Sequence, residues 1–287
     1  MKDVFKHMIM KRIAPIIKAK NFATDRSIRV SEKTFEKAEN ARTFFSGVGD
    51  ITLFIKDTLK QLFSFPMELK EFIRQCYFVG NRSFALVAIT GAIMGIVLTI
   101  QSRPVLNEFG AESMLPKMVA VSLVREIGPV ITALICAGKI GSGMGAELGS
   151  MKVTEQIDAM EVSAMNPMKY LVLTRVLAAT LMVPMLVIFA DAMGLFGSWL
   201  GVNLKGDVNL VLFFSRAFSS LTFMDFFPAV IKTFFFGAVI GIVGCYKGYN
   251  AGKGTESVGI AANSAVVLSS LLIIIVDLIA VQITDML

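Results

Sequence analysis

Five runs of about 20 mainly apolar residues dominate the chain, near positions 83–102, 116–139, 170–200, 226–246 and 262–284. A helix needs roughly that many to cross the hydrocarbon core of a bilayer, so each run is a spanning candidate. The hydrophobic share of 55%, the mean hydropathy of +0.68 and a charged share of only 17% agree, because a globular domain carries about a quarter charged residues. The expected fold is all-α: a polytopic, multi-pass membrane protein with an interfacial N-terminal helix and five transmembrane helices.

Basic residues set an orientation. Sixteen of the 28 Lys and Arg residues precede Ser83, and such a concentration before the first span favours the cytoplasmic side. Five spans from a cytoplasmic N-terminus put the C-terminus in the opposite compartment. The segments from Lys139 to Lys169 and from Lys247 to Glu256 then face the cytoplasm. The two outer loops carry two basic residues each, Arg103 with Lys117 and Lys205 with Arg216, in keeping with that bias.

The first 50 residues mix charge with scattered apolar groups and are expected to form a cytoplasmic extension, with Ser31 a candidate helix cap. The N-terminus is interrupted by Lys, Arg and Pro and lacks an apolar core and a small-residue cleavage site, so no removed signal peptide is expected. Between Ile51 and Tyr77, Ile, Leu and Phe alternate with Lys, Glu and Arg at helical spacing, interrupted by Pro66. Such a helix, over about 51–80, lies in the membrane interface. The remaining chain, 51–287, reads as one membrane domain, with no room for a separate soluble one.

Chemistry has few places to reside. Cys76, Cys136 and Cys245 sit in or beside apolar segments at no metal-ligand spacing, as small buried hydrophobes would; neither disulfide nor metal is expected. His7 is the only histidine and lies in the extension. AGKGTES at 251–257 fails as a phosphate-binding loop, since Gly248 is one residue too close to the Gly-Lys pair and Gly254 stands where Ser or Thr is needed. No Ser/His/Asp set is present either, so the chain is not expected to be an enzyme.

What remains is a charged pair and a polar helix. Arg125 and Glu126, in VSLVREIGPV, fall inside the second run, where an ionised group is costly unless paired or wetted and marks a substrate path by default. Locking helices together is the competing role. Asp191 and Asp277 also fall near or within spans, as polar helix glue or cavity lining. Gly138, Gly141, Gly143, Gly145 and Gly149 follow at spacings that let helices approach closely. In MKVTEQIDAMEVSAMNPMKY, Glu155, Asp158 and Glu161 recur every third residue, with Val153, Ile157 and Met160 on the other face. Thr154 is the expected N-cap, and Asn166 with Pro167 the expected stop. Three acids suit an anionic membrane surface poorly, so the better occupant of that face is a protein partner.

The block from Leu123 to about Ala178 resembles the signature region of MlaE-type permeases, the membrane subunits of MCE-associated ABC transporters that move phospholipids or other lipids across the envelope of double-membraned bacteria and plastids. The likeness extends from about Met67 to the C-terminus. It implies a homodimer in the bacterial inner membrane, with ABC ATPase subunits on the cytoplasmic side, a periplasmic MCE-domain protein on the other, and a phospholipid or related lipid as cargo. ATP and Mg would be used by the partner ATPase; this chain needs no cofactor and binds no nucleic acid. The helix carrying Thr154, Glu155, Gln156, Asp158, Ala159 and Met160 then resembles an ATPase-coupling helix. Arg125 and Glu126 match the charged pair near the family's lipid cavity. For the cavity wall, Leu98, Val105, Leu106 and Phe109, at the outer end of the first span around Arg103 and Pro104, offer an apolar lining; ordinary helix packing is their alternative role.

Two other functions are compatible with a five-span chain. An ion-coupled secondary transporter would show matched halves with broken helices and midplane acids, and no halves are visible. A non-transporting scaffold anchoring a periplasmic lipid carrier would not depend on Arg125 and Glu126.

Overall fold

The computed structural model describes residues 47–62, 68–204, 206 and 208–286, and among these all regular structure is helical. The readings made for His7, Ser31, Pro66 and Lys205 lie outside the described residues. Residues 47–62 form helix α1, which crosses a division of the chain into units 1–56 and 57–287. In the second unit follow α2 (Leu69–Glu108), α3 (Glu112–Val153), α4 (Gln156–Val162), α5 (Met168–Asn203), α6 (Leu210–Phe218), α7 (Phe223–Tyr249) and α8 (Thr255–Thr284). Five of these, α2, α3, α5, α7 and α8, are long and apolar enough to cross a membrane.

These helices outrun the apolar stretches that mark them, reaching 40 residues in α2 and 42 in α3. Hydropathy marks only the lipid-facing middle of a helix; the polar ends stay helical wherever nothing breaks the backbone pattern. Residues 69–80, expected to belong to an interfacial helix, are instead the first turns of α2. The α2–α3 corner needs only Phe109–Ala111, where Gly110 takes a φ of +65° that suits a residue without Cβ. An unexpected helix, α6, occupies the α5–α7 connection, with the Asn209 side chain accepting from the Val211 amide as its N-cap.

Short connections make successive long helices antiparallel and give the bundle two distinct ends. One holds α4, the start of α2 and the α7–α8 turn; the other holds α6 and the end of α8. At its heart is α5, whose apolar window is 67% buried against 22% for α2 and 17% for α8. The outer helices present Ile89, Ile93, Leu271, Ile274 and Leu278 outward, as lipid or another subunit would require.

Without water to drive association, spanning helices rely on close backbone approach. Along the α2–α5 crossing a methyl group on Gly95 would overlap the Gly194 carbonyl, and one on Gly197 the Ala92 carbonyl. Thr99 and Ser198 share a buried 2.6 Å hydroxyl hydrogen bond there. In α7, a Cβ on Gly244 would stand 3.0 Å from the Gly141 carbonyl oxygen and one on Gly248 2.8 Å from that of Gly145. The small residues singled out in α3 thus divide: Gly141, Gly145 and Gly149 receive α7 and α8, whereas Gly138 and Gly143 face open space. Cys136 and Cys245 are buried, and Cys76 is only half-buried.

Candidate functional site

Arg125 and Glu126 sit in a widened, π-type turn, Leu123–Ile127, inside α3. The cause is local. Pro129 has no amide hydrogen to give the carbonyl of residue 125, and its ring would crowd that oxygen. Widening the preceding turn relieves both problems, and such bulges re-aim side chains where function needs them.

The two side chains diverge to different helices. Arg125 places Nη2 2.7 Å from Asp285 Oδ1, just past the end of α8, and Nη1 4.0 Å from Asp225 Oδ1 at the start of α7. Asp225 is fixed independently: its Oδ2 accepts from the Thr222 amide and hydroxyl at 3.0 and 2.7 Å in a capping box. Glu126 accepts from Lys232 Nζ on α7 at 2.7 Å, and the same ammonium lies 2.9 Å from Asp277 Oδ1 on α8. Lys232 is buried, whereas Arg125 and Glu126 are half-buried and open to a small groove that Met224, Asp225, Pro228 and Val281 also line. Three helices therefore meet at one charge cluster toward the α6 end.

This cluster holds four carboxylates and two cations. Its guanidinium is already engaged, so any anion reaching Arg125 must displace or share it with Asp285. Sequence reasoning named Arg125 and Glu126 and gave Asp277 as polar glue or lining; Lys232, Asp225 and Asp285 escaped it. Lys232, an isolated cation ten residues into an apolar helix, was the signal that could have found them.

Asp191 makes no ion pair with the cluster but lies within range of the Lys232 charge. It is buried in α5 with Oδ1 unpartnered, packed against Gly128 so tightly that a Cβ there would overlap its carboxylate. Of the residues expected to wall a cavity, Leu98 and Leu106 pack against Leu115, Val119, Val202 and Phe213, while Val105 and Phe109 are exposed. None of the four lines the groove at Arg125.

At the opposite end, α4 is a two-turn helix with Ile157 fully buried and Glu155, Gln156, Asp158 and Ala159 exposed, Met160 half-buried. Its boundaries differ from expectation. Thr154 does not begin α4; it ends α3, its hydroxyl bonded back to the Ser150 carbonyl at 2.8 Å. Glu155 makes the corner in the left-handed region, φ +59°. The helix stops at Val162, with Ala164 also at φ +59°. Asn166 and Pro167 instead start α5, where Asn166 Oδ1 accepts from the Lys169 amide at 3.3 Å. The helix is braced from both sides: Lys152 pairs with Asp158 at 2.8 Å, and the Tyr249 hydroxyl donates to Glu161 at 3.3 Å. Val162 is 90% exposed. A short, propped rod with an acidic and partly apolar outer face results.

Residues 72–283 match the family model described as Permease MlaE. The chain is 40% identical over 232 residues to a probable ABC transporter permease protein of Rickettsia felis, covering 81% of this chain and 90% of that one. It is 35% identical over 209 residues to the intermembrane phospholipid transport system permease protein MlaE of Haemophilus influenzae, covering 72% and 80%. A probable ABC transporter permease protein of Synechocystis is 35% identical over 203 residues, covering 71% and 77%.

Proposed function

The chain belongs to the MlaE permease family and is a permease subunit of an ABC-type transporter; from that premise we propose that its cargo is a phospholipid or related amphiphile and that α4 couples it to a separate ATPase. The charge cluster at Arg125 carries this reading. Within the spans, Lys232 with Glu126 and Asp277 is costly to maintain for packing alone, and with Arg125, Asp225 and the exposed Asp285 at its open edge the cluster offers a headgroup both a guanidinium and surplus carboxylates. That the Haemophilus relative is a phospholipid transport permease supports the same cargo.

The working unit is a homodimer in the bacterial inner membrane, N-terminus cytoplasmic and C-terminus periplasmic. ABC ATPase subunits dock on the α4 end and use ATP and Mg, and an MCE-domain protein receives or delivers lipid at the α6 end. The basic residues before Ser83 support this orientation. A motor separate from this chain is in keeping with the failed phosphate-loop spacing at 251–257.

The test is lipid transfer by the assembled complex in proteoliposomes, comparing the unaltered chain with R125A/E126Q. We expect transfer to fall at least tenfold while the subunits remain associated. Transfer at the original rate by an intact complex would favour a scaffold and overturn the cavity assignment.

A further inference from the structure

We infer that a second lipid site, about 21 Å along α3 from Arg125 at ~1.5 Å per residue, lies between α2 and α3 near the α4 end and binds the phosphate of a phospholipid headgroup. It rests on the lipid-transport reading but uses none of the residues of the Arg125 cluster.

The two helices part here around a cavity of about 240 Å³, lined by Gln75, Phe78, Arg82, Ser83, Lys139 and Glu147 among others. That is smaller than the ~300–1,000 Å³ typical of sites for drug-sized ligands, so a headgroup fits and a pair of acyl chains does not. The chains would run along the outward apolar side of α2, where Phe84, Ile89 and Ile93 are exposed.

The charge balance is the reverse of that at Arg125. Arg82 lies over the Phe78 ring at 4.2 Å and 3.6 Å from Glu147. Glu147 also pairs with Arg175 at 3.5 Å, so one carboxylate answers two guanidinium groups. Lys139 has no carboxylate partner among the described residues. The surplus cation, a bidentate-capable arginine and apolar walls together describe a phosphate monoanion carried on a lipid.

Ser83 gives the independent sign of a missing ligand. It lines the cavity, its residue is 0% exposed, and its hydroxyl has no hydrogen-bond partner. A buried hydroxyl left unpaired is unfavourable; a water molecule in the cavity does not reach it, so a phosphate oxygen pairs it only as the cavity wall shifts to admit one. Depth fits as well: Ser83 opens the first apolar run and Lys139 closes the second, which sets both at headgroup level.

The experiment uses the full chain in its assembled complex in nanodiscs, with phosphatidylglycerol bearing a photoreactive group near the headgroup and labelled peptides mapped by mass spectrometry. Labelling is expected in 75–83 and 139–147, reduced at least fivefold in R82Q/K139Q and in probe made on diacylglycerol, which lacks the phosphate. S83A, which removes a hydroxyl without a partner in the protein, should reduce labelling about twofold or more. Equal labelling by diacylglycerol, or no change in R82Q/K139Q that still assembles, overturns the site. Loss of label to millimolar inorganic phosphate marks a free-phosphate site and overturns the lipid assignment. Label confined to peptides around Arg125 overturns this site and leaves transport standing; no label at either place together with no lipid transfer overturns both.

Discussion

Lys232 on α7 lies 2.7 Å from Glu126 on α3 and 2.9 Å from Asp277 on α8, so one buried ammonium joins three spanning helices. Replacing it with Met keeps the side-chain bulk but strands two carboxylates. Breaking a fully buried pair from one side costs about 3–5 kcal/mol; here Glu126 is half-buried, so the cost is expected to be a fraction of that. K232M is therefore expected to lower the thermal midpoint in detergent, and E126Q/D277N on that background to recover most of the loss. A midpoint unchanged in K232M would mean the cluster is wet enough to be structurally neutral.

The α2–α5 crossing predicts opposite outcomes for two glycines. Gly95 abuts the Gly194 backbone, which cannot move aside like a flexible side chain; G95A should destabilise by about 1–3 kcal/mol or more. Gly259 in α8 has nothing within 4 Å, and G259A should gain about 0.5–1 kcal/mol from helix propensity. Thermal unfolding followed by circular dichroism separates the two, and equal effects would contradict the crossing.

The contrast between these glycines shows where sequence reasoning stops. Spans are legible because hydropathy and length act locally, and all five appear. Gly95 and Gly259 look alike in sequence, since only the partner helix distinguishes them. The same holds for charges: Arg125 meets a partner 160 positions away and Lys232 one 106 positions away, and no local period encodes that. α6 was missed because nine residues are too few for a span. Thr154 misled for a physical reason, since its hydroxyl can cap forward or bond back one turn, and a left-handed Glu155 decided the matter.

Both corners of α4 place a residue with a side chain at φ +59°. For an L-residue that region costs about 1–2 kcal/mol, and glycine avoids most of it. A164G is expected to raise stability by up to about 1 kcal/mol, whereas E155V, β-branched at such a position, should lower it. Thermal midpoints of the two variants check this, and a destabilised A164G would rule out relieved strain there.

If α4 transmits force to an ATPase, its exposed acids must meet that partner. E155K/D158K reverses two of them and sets a new Lys at 158 against Lys152, the present 2.8 Å partner of Asp158. The expected result in the reconstituted complex is ATP hydrolysis that no longer drives lipid transfer, with transfer down at least fivefold. Unaltered coupling would remove α4 from the docking surface.

Arg125 fastens the last residues of α8 to α3. Its contact with Asp285 at 2.7 Å is partly exposed, and the longer one to Asp225 at 4.0 Å involves a carboxylate already held by Thr222. Asp285 is thus the partner with freedom to leave. R125M should release the end of α8 without disturbing the start of α7, because the Thr222–Asp225 box stands alone. Hydrogen exchange across 278–286 is expected to quicken several-fold while exchange across 223–230 stays as it was. Quickening of both would mean Arg125 also supports the α7 cap, and no change in either would show that the Arg125–Asp285 contact does not hold the end of α8.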